Sequence, residues 1–114
     1  MKDEIKKAKI EDKIYSKHVD RNIEGGKHEK EGRVDLAIEL YEKNIAENFD
    51  GSHPYIRLAI IYRKKKDYLN EIRVLNKAIE VFSNLMSSSE RLDIEPKLDE
   101  FKKRLEKSKT LIKY

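Results

Sequence analysis

The stretch Ser52–Glu80, SHPYIRLAIIYRKKKDYLNEIRVLNKAIE, reads as two antiparallel helices hinged at Lys66-Asp67. In its first half Tyr55, Leu58, Ala59 and Tyr62 follow i, i+3, i+4, i+7 and share one helical face. Ser52 suits an N-cap, and Pro54 falls in the first turn, where its missing N–H costs nothing. Ala59 is small among large neighbours and admits a second helix at close range. After Asp67, another N-cap residue, Ile72, Leu75, Ile79, Phe82 and Met86 form a second stripe. Leu69, Val74, Ala78, Val81 and Leu85 widen it, so this helix is expected to be covered on two sides.

Shifted by 34 residues, the pattern returns. Gly25 answers Ala59, His28 answers Tyr62, Lys30 answers Lys64 and Gly32 answers Lys66. Val34, Ile38, Leu40, Tyr41, Lys43 and Ile45 then answer Tyr68, Ile72, Val74, Leu75, Lys77 and Ile79. A helix–turn–helix unit at that period resembles the tetratricopeptide repeat (TPR) over about residues 18–85. Tyr55, Leu58, Ala59, Tyr62, Asp67, Tyr68 and Ala78 stand at the family's positions in the second copy. Gly25, Gly32, Ala37, Tyr41 and Ile45 do so in the first. The departures are Glu71 and Asn44 where the family prefers alanine, Glu24 where it prefers leucine, and Phe49 and Ser83 where it ends in proline. The resemblance implies an all-α fold of antiparallel helix-turn-helix repeats with N- and C-terminal capping helices. One domain over residues 1–114 would divide into an N-terminal helical segment (1–17), repeat 1 (18–51), repeat 2 (52–85) and a loop with a C-terminal cap (86–114).

Around that centre the local signals are plain. Residues 1–20 read as a helix frayed at its start that could run into the first repeat and end by Glu31. Gly25-Gly26 within it costs roughly 1 kcal/mol per glycine relative to alanine; either a break or close packing of a neighbouring helix would account for the pair. Gly32 permits a tight turn into a helix over 34–47. Asn48-Phe49-Asp50-Gly51 is turn chemistry, with Gly51 able to take positive φ. Ser87 with Glu90 fits a capping box, and a short element stopping before Pro96 is expected. Leu98, Phe101, Leu105, Ser108 and Ile112 then mark the inward face of a last helix that caps the stack.

Composition narrows the function classes. Of 114 residues 42% are charged, and the net charge is +4. The excess is local: residues 32–51 carry two cations and five anions, 52–78 seven and two, and 97–113 seven and three. There is no cysteine, hence no disulfide, thiolate metal site or cysteine nucleophile. No apolar run is long enough to span a bilayer, and MKDEIKKAKIEDK lacks a signal-peptide core. A cytoplasmic protein of low-GC bacterial or phage origin is the expectation. His18, His28 and His53 lack the spacing of a shared metal site, and no phosphate loop or nucleophile elbow is present, so neither cofactor, metal nor catalytic residue is assigned. Glu71 is the odd carboxylate, on an inward face; it either reaches solvent, pairs with a cation such as Lys43 or Arg73, or has a role of its own.

In tetratricopeptide stacks the first helix of each pair lines a concave groove that holds a partner's peptide or helix. Carried onto this chain, the resemblance places Ile56, Ile60, Arg63 and Lys64 on one wall and Asn22, Gly26, Glu29 and Lys30 on the other. Two isoleucines beside two cations suit an amphipathic or acidic segment of a partner protein, unless the N-terminal helix covers Ile56 and Ile60. The positions of the family's peptide-carboxylate clamp are not reproduced. The competing reading is nucleic-acid binding through Arg63-Lys64-Lys65-Lys66 and the C-terminal lysines. Against it stand interleaved acids, no aromatic platform, and the local use of cations at the negative end of a helix dipole. Self-association into a homo-oligomer through the exposed ends of the stack is compatible with the first reading.

Overall fold

A computed structural model describes residues 2–112. It contains α1 (Lys2–Lys30), α2 (Val34–Ala46), α3 (His53–Lys64), α4 (Tyr68–Met86) and α5 (Ile94–Leu111), with no strand among the described residues. The protein is all-α. Each helix packs on the next in sequence. Arg57 of α3 also reaches Glu29 of α1, and Tyr55 of α3 meets Phe101 of α5. Arg73 of α4 binds Glu42 of α2. The helices therefore form two layers, α1, α3 and α5 in one and α2 and α4 in the other.

The 34-residue recurrence is also a recurrence of backbone conformation. Gly32 and Lys66 close α1 and α3 with φ of +77° and +58°. In both turns the next N–H reaches back to the same carbonyl, Arg33 to His28 and Asp67 to Tyr62, each at 2.8 Å. The cap residues Arg33 and Asp67 share φ −92° with ψ of 63° and 71°. This is a left-handed C-cap leading straight into the next helix. Asp67 adds a side-chain cap, its Oδ1 accepting from the Asn70 N–H at 3.3 Å.

The core is one cluster. Ala37, Tyr41, Tyr55, Leu58, Ala59, Val74, Leu75, Ala78 and Phe82 are fully enclosed, and Tyr62 joins Leu75 in it. The rings of Tyr55, Phe82 and Phe101 meet edge-on with centroids 5.1–6.3 Å apart. Ile94, Leu98, Phe101 and Leu105 hold α5 as the last layer. Burying each such side chain stabilises by about 1.5–3 kcal/mol. The exposed Lys97–Glu100 and Lys109–Glu106 pairs on its outer side add about 0–1 kcal/mol each, so α5 is an apolar cap.

The local expectations meet different outcomes. α1 runs unbroken through Gly25-Gly26: a Cβ on Gly25 would lie 2.6 Å from the Tyr41 ring, so this glycine serves close packing of α2. As the sequence allowed, the same helix runs from the N-terminal segment into the first repeat and ends at Lys30, and residues 3–17 are all exposed. In the turn after α2 the left-handed residue is Asn48 (φ 58°), not Gly51, where an added Cβ would lie 2.6 Å from the Phe49 ring. Ser87 ends α4, and Pro96 sits inside the first turn of α5, where no helical N–H is lost. Leu69 and Met86 lie outside the core; Leu69 shares the solvent face of Arg73, Asn76 and Glu80.

Candidate functional site

The first and third helices run side by side, and their facing residues enclose an open groove of about 460 Å³. Glu29 and Lys30 line it from α1 and Val34 from the start of α2. Arg57, Ile60, Ile61, Lys64 and Lys65 line it from α3 and its end. Toward the N-terminal ends of the same two helices the groove meets a second hollow of about 450 Å³. Asn22, Ile23, Gly26, Lys27, Lys30 and His53 line that one. Lys30 belongs to both, so the two make one trough along the α1/α3 seam.

Helical spacing explains the walls. Asn22, Gly26 and Lys30 fall four apart and make one ridge of α1; His53, Arg57, Ile60 and Lys64 recur at four, three and four and make the facing ridge of α3. The floor at one end is aliphatic, from Val34, Ile60 and Ile61. Its rim is cationic. Lys27, Lys30 and Lys64 have no carboxylate partner among the described residues, whereas Lys65 is held by Asp35 at 3.2 Å.

The single carboxylate in the trough is internally neutralised. Glu29 accepts from both Nε and Nη2 of Arg57, at 3.1 and 2.5 Å, and from the Tyr41 hydroxyl at 2.6 Å. Burial opposes its ionisation, but the bonds from Arg57 and Tyr41 prevail and hold the carboxyl below its ordinary value. The same geometry raises Arg57, first through its bond to Glu29. Arg57 is thus a fixed cation with donors left over on the groove side.

The sequence-derived residues divide. Glu29, Lys30, Ile60 and Lys64 converge on the trough, and Asn22 lies at its far end. The Asn22 carboxamide is already engaged, accepting from Asn44 at 2.9 Å. Ile56 is half-buried and packs against the core. Arg63 turns away from α1. Its Nε donates to Glu71 at 2.8 Å, and Nη2 donates to the Arg104 carbonyl and the Ser108 hydroxyl at 3.3 and 3.2 Å. The partners of Glu71 are therefore Arg63 and Arg104, in place of Lys43 or Arg73. Sequence reasoning missed Arg57, Val34 and Ile61. The available signal for Arg57 was Glu29, a carboxylate one turn beyond Gly25 on the packed side of α1, which needed a cation from a neighbouring helix.

No helix among the described residues is long and apolar enough to cross a membrane. No curated protein and no solved structure matches the chain. A family model, described as an uncharacterized protein conserved in bacteria (DUF2225), matches residues 2–105, and the chain belongs to that bacterial family.

Proposed function

We propose that this chain is a small tetratricopeptide-like interaction module, non-enzymatic and cytoplasmic, that holds a segment of another protein in the basic trough between α1 and α3. The observation that carries the reading is the convergence of Lys30 and Lys64, without intramolecular partners among the described residues, over an aliphatic floor of Val34, Ile60 and Ile61. Apolar floor and charged rim are the composition of a recognition site: the floor supplies affinity by burial, and the rim supplies orientation and encounter rate. The recurrence of the Gly32 and Lys66 turns supports the repeat assignment.

The test uses immobilised protein and bacterial extract, with and without nuclease treatment, compared with the Lys30→Glu/Lys64→Glu variant. Both lysines are exposed, so helical circular dichroism should be unchanged while specific protein capture is lost. Capture that survives the double variant moves the site elsewhere. Retention of RNA or DNA at physiological salt, falling steeply as salt rises, would replace this reading with nucleic-acid binding. Arg63 is left intact because its guanidinium serves Glu71.

A further inference from the structure

Gly25 and Gly26 are adjacent, and only one of them is explained by this chain. A Cβ at Gly25 meets Tyr41, whereas a Cβ at Gly26 meets nothing within 4 Å. Gly26 lies four residues before the C-terminal end of a 29-residue helix, still inside its hydrogen-bonded ladder, where glycine costs on the order of 1 kcal/mol relative to alanine. It lies on the ridge Asn22–Gly26–Lys30, facing the trough. A backbone without a side chain at the midpoint of a groove is what close approach of another helix requires, since interaxial distance is set by the side chains at the crossing. The trough is also bounded by two parallel ridges with i, i+4 spacing, the surface into which a third helix's ridge can settle.

Charge names the chemistry of the occupant. The larger hollow is lined by the cations Lys30, Arg57, Lys64 and Lys65 against the one carboxylate, Glu29, that Arg57 already neutralises. Lys27 extends the positive rim toward the other hollow. Resting on the reading above, we infer that the segment held in this trough is an acidic amphipathic α-helix of a partner protein, crossing closest at Gly26. Its aliphatic residues at i, i+3/i+4 seat on Val34, Ile60 and Ile61. Its carboxylates face Lys27, Lys30 and Lys64. An extended peptide would not need the missing side chain at Gly26, and a basic helix would meet like charge.

The experiment measures fluorescence-anisotropy titrations of the intact chain with synthetic probes. The first probe is a peptide of about 16 residues, some four helical turns, with leucine at 3/4 spacing and glutamate and alanine elsewhere. The second has two central prolines, which break the helix at equal charge. The third has lysine for glutamate, and the fourth is a short single-stranded oligouridine. The helical acidic probe should bind, and the proline and lysine probes should bind roughly tenfold more weakly or not at all. Gly26→Leu should weaken it by roughly tenfold with helicity and thermal midpoint no lower than the parent's, and Lys30→Glu/Lys64→Glu by at least as much.

No binding of the acidic helix below about 1 mM overturns the inference. So does undiminished binding by Gly26→Leu. Equal binding of the proline probe, still abolished by the lysine variant, overturns the helical occupant and leaves the protein-binding groove standing. Acidic-probe binding indifferent to Lys30 and Lys64 removes the groove itself. Oligouridine binding tighter than any peptide assigns the trough to nucleic acid.

Discussion

Arg63 donates from Nε to the Oε2 atom of Glu71 at 2.8 Å, across the turn that joins α3 to α4, and Glu71 is wholly enclosed at the position Ala37 fills in the preceding hairpin. Arg104 of α5 approaches the same oxygen at 3.7 Å, and Oε1 has no hydrogen-bond partner among the described residues. Burial, then the charge of Arg63, lowers the Arg104 guanidinium from its ordinary value. A buried ion network of this kind is costly to break and cheap to replace as a whole. Glu71→Ala alone should cost about 2–4 kcal/mol, because two guanidiniums lose their counter-charge. The combined Arg63→Met, Glu71→Ala, Arg104→Leu variant should fall within about 1 kcal/mol of the parent. Urea denaturation decides it: a silent Glu71→Ala would show that the network contributes nothing.

Lys66 holds the left-handed conformation that its counterpart Gly32 adopts without a side-chain penalty. A non-glycine residue there is strained by about 1–2 kcal/mol, partly offset by the larger backbone entropy glycine loses on folding. Lys66→Gly should therefore stabilise by about 0.5–1 kcal/mol, and Gly32→Ala should destabilise by a similar amount. Both changes are to be read as midpoint shifts at constant denaturant slope, and a destabilised Lys66→Gly would contradict the strain argument.

How far these features could be read beforehand depends on the range of the interaction that creates them. The stripes Tyr55/Leu58/Ala59/Tyr62 and Leu98/Phe101/Leu105/Ser108 are local periodicities, and all of these residues are buried. The turn at Lys66 was legible because Gly32 stands 34 residues earlier. Leu69 was misjudged because hydrophobicity does not say which side of α4 meets a neighbour. The trough was half legible. Lys30, Ile60 and Lys64 follow from helix spacing, but Arg57 reads as an ordinary solvated cation until Glu29, 28 residues away, is beside it. Arg63 turned inward for the same reason, since Glu71 in a small-residue position needed a cation from the facing helix.

The two adjacent glycines of α1 should respond in opposite directions. Gly26→Ala meets open space and gains helix propensity, so the free protein should be more stable by about 0.5–1 kcal/mol. Gly25→Ala gains the same propensity but places a methyl 2.6 Å from Tyr41, in a ring held by its bond to Glu29. Overpacking of this kind costs about 1–3 kcal/mol. Thermal denaturation of the pair checks the packing of α1 on α2, and stabilisation by Gly25→Ala would mean that the interface is looser than described.

Glu29 ties three helices together through Arg57 of α3 and Tyr41 of α2, and this fixes the sign of a pH effect. Its folded carboxyl titrates below the ordinary value of 4.5 that it has in the unfolded chain. The unfolded state therefore binds the proton first, and the stabilisation is fully present above that ordinary value. It disappears as pH falls below 4.5 and through the lower folded value. Glu29→Gln removes the charge and one strong acceptor pair, at about 1.5–3 kcal/mol near neutrality. Its loss relative to the parent should shrink as pH drops from 6 through 4.5 and on through the lower folded value, below which the parent carboxyl is also protonated. A parent–variant difference constant over that range, measured by urea midpoints, would show that the Glu29–Arg57 pair does not hold α1 against α3 in solution.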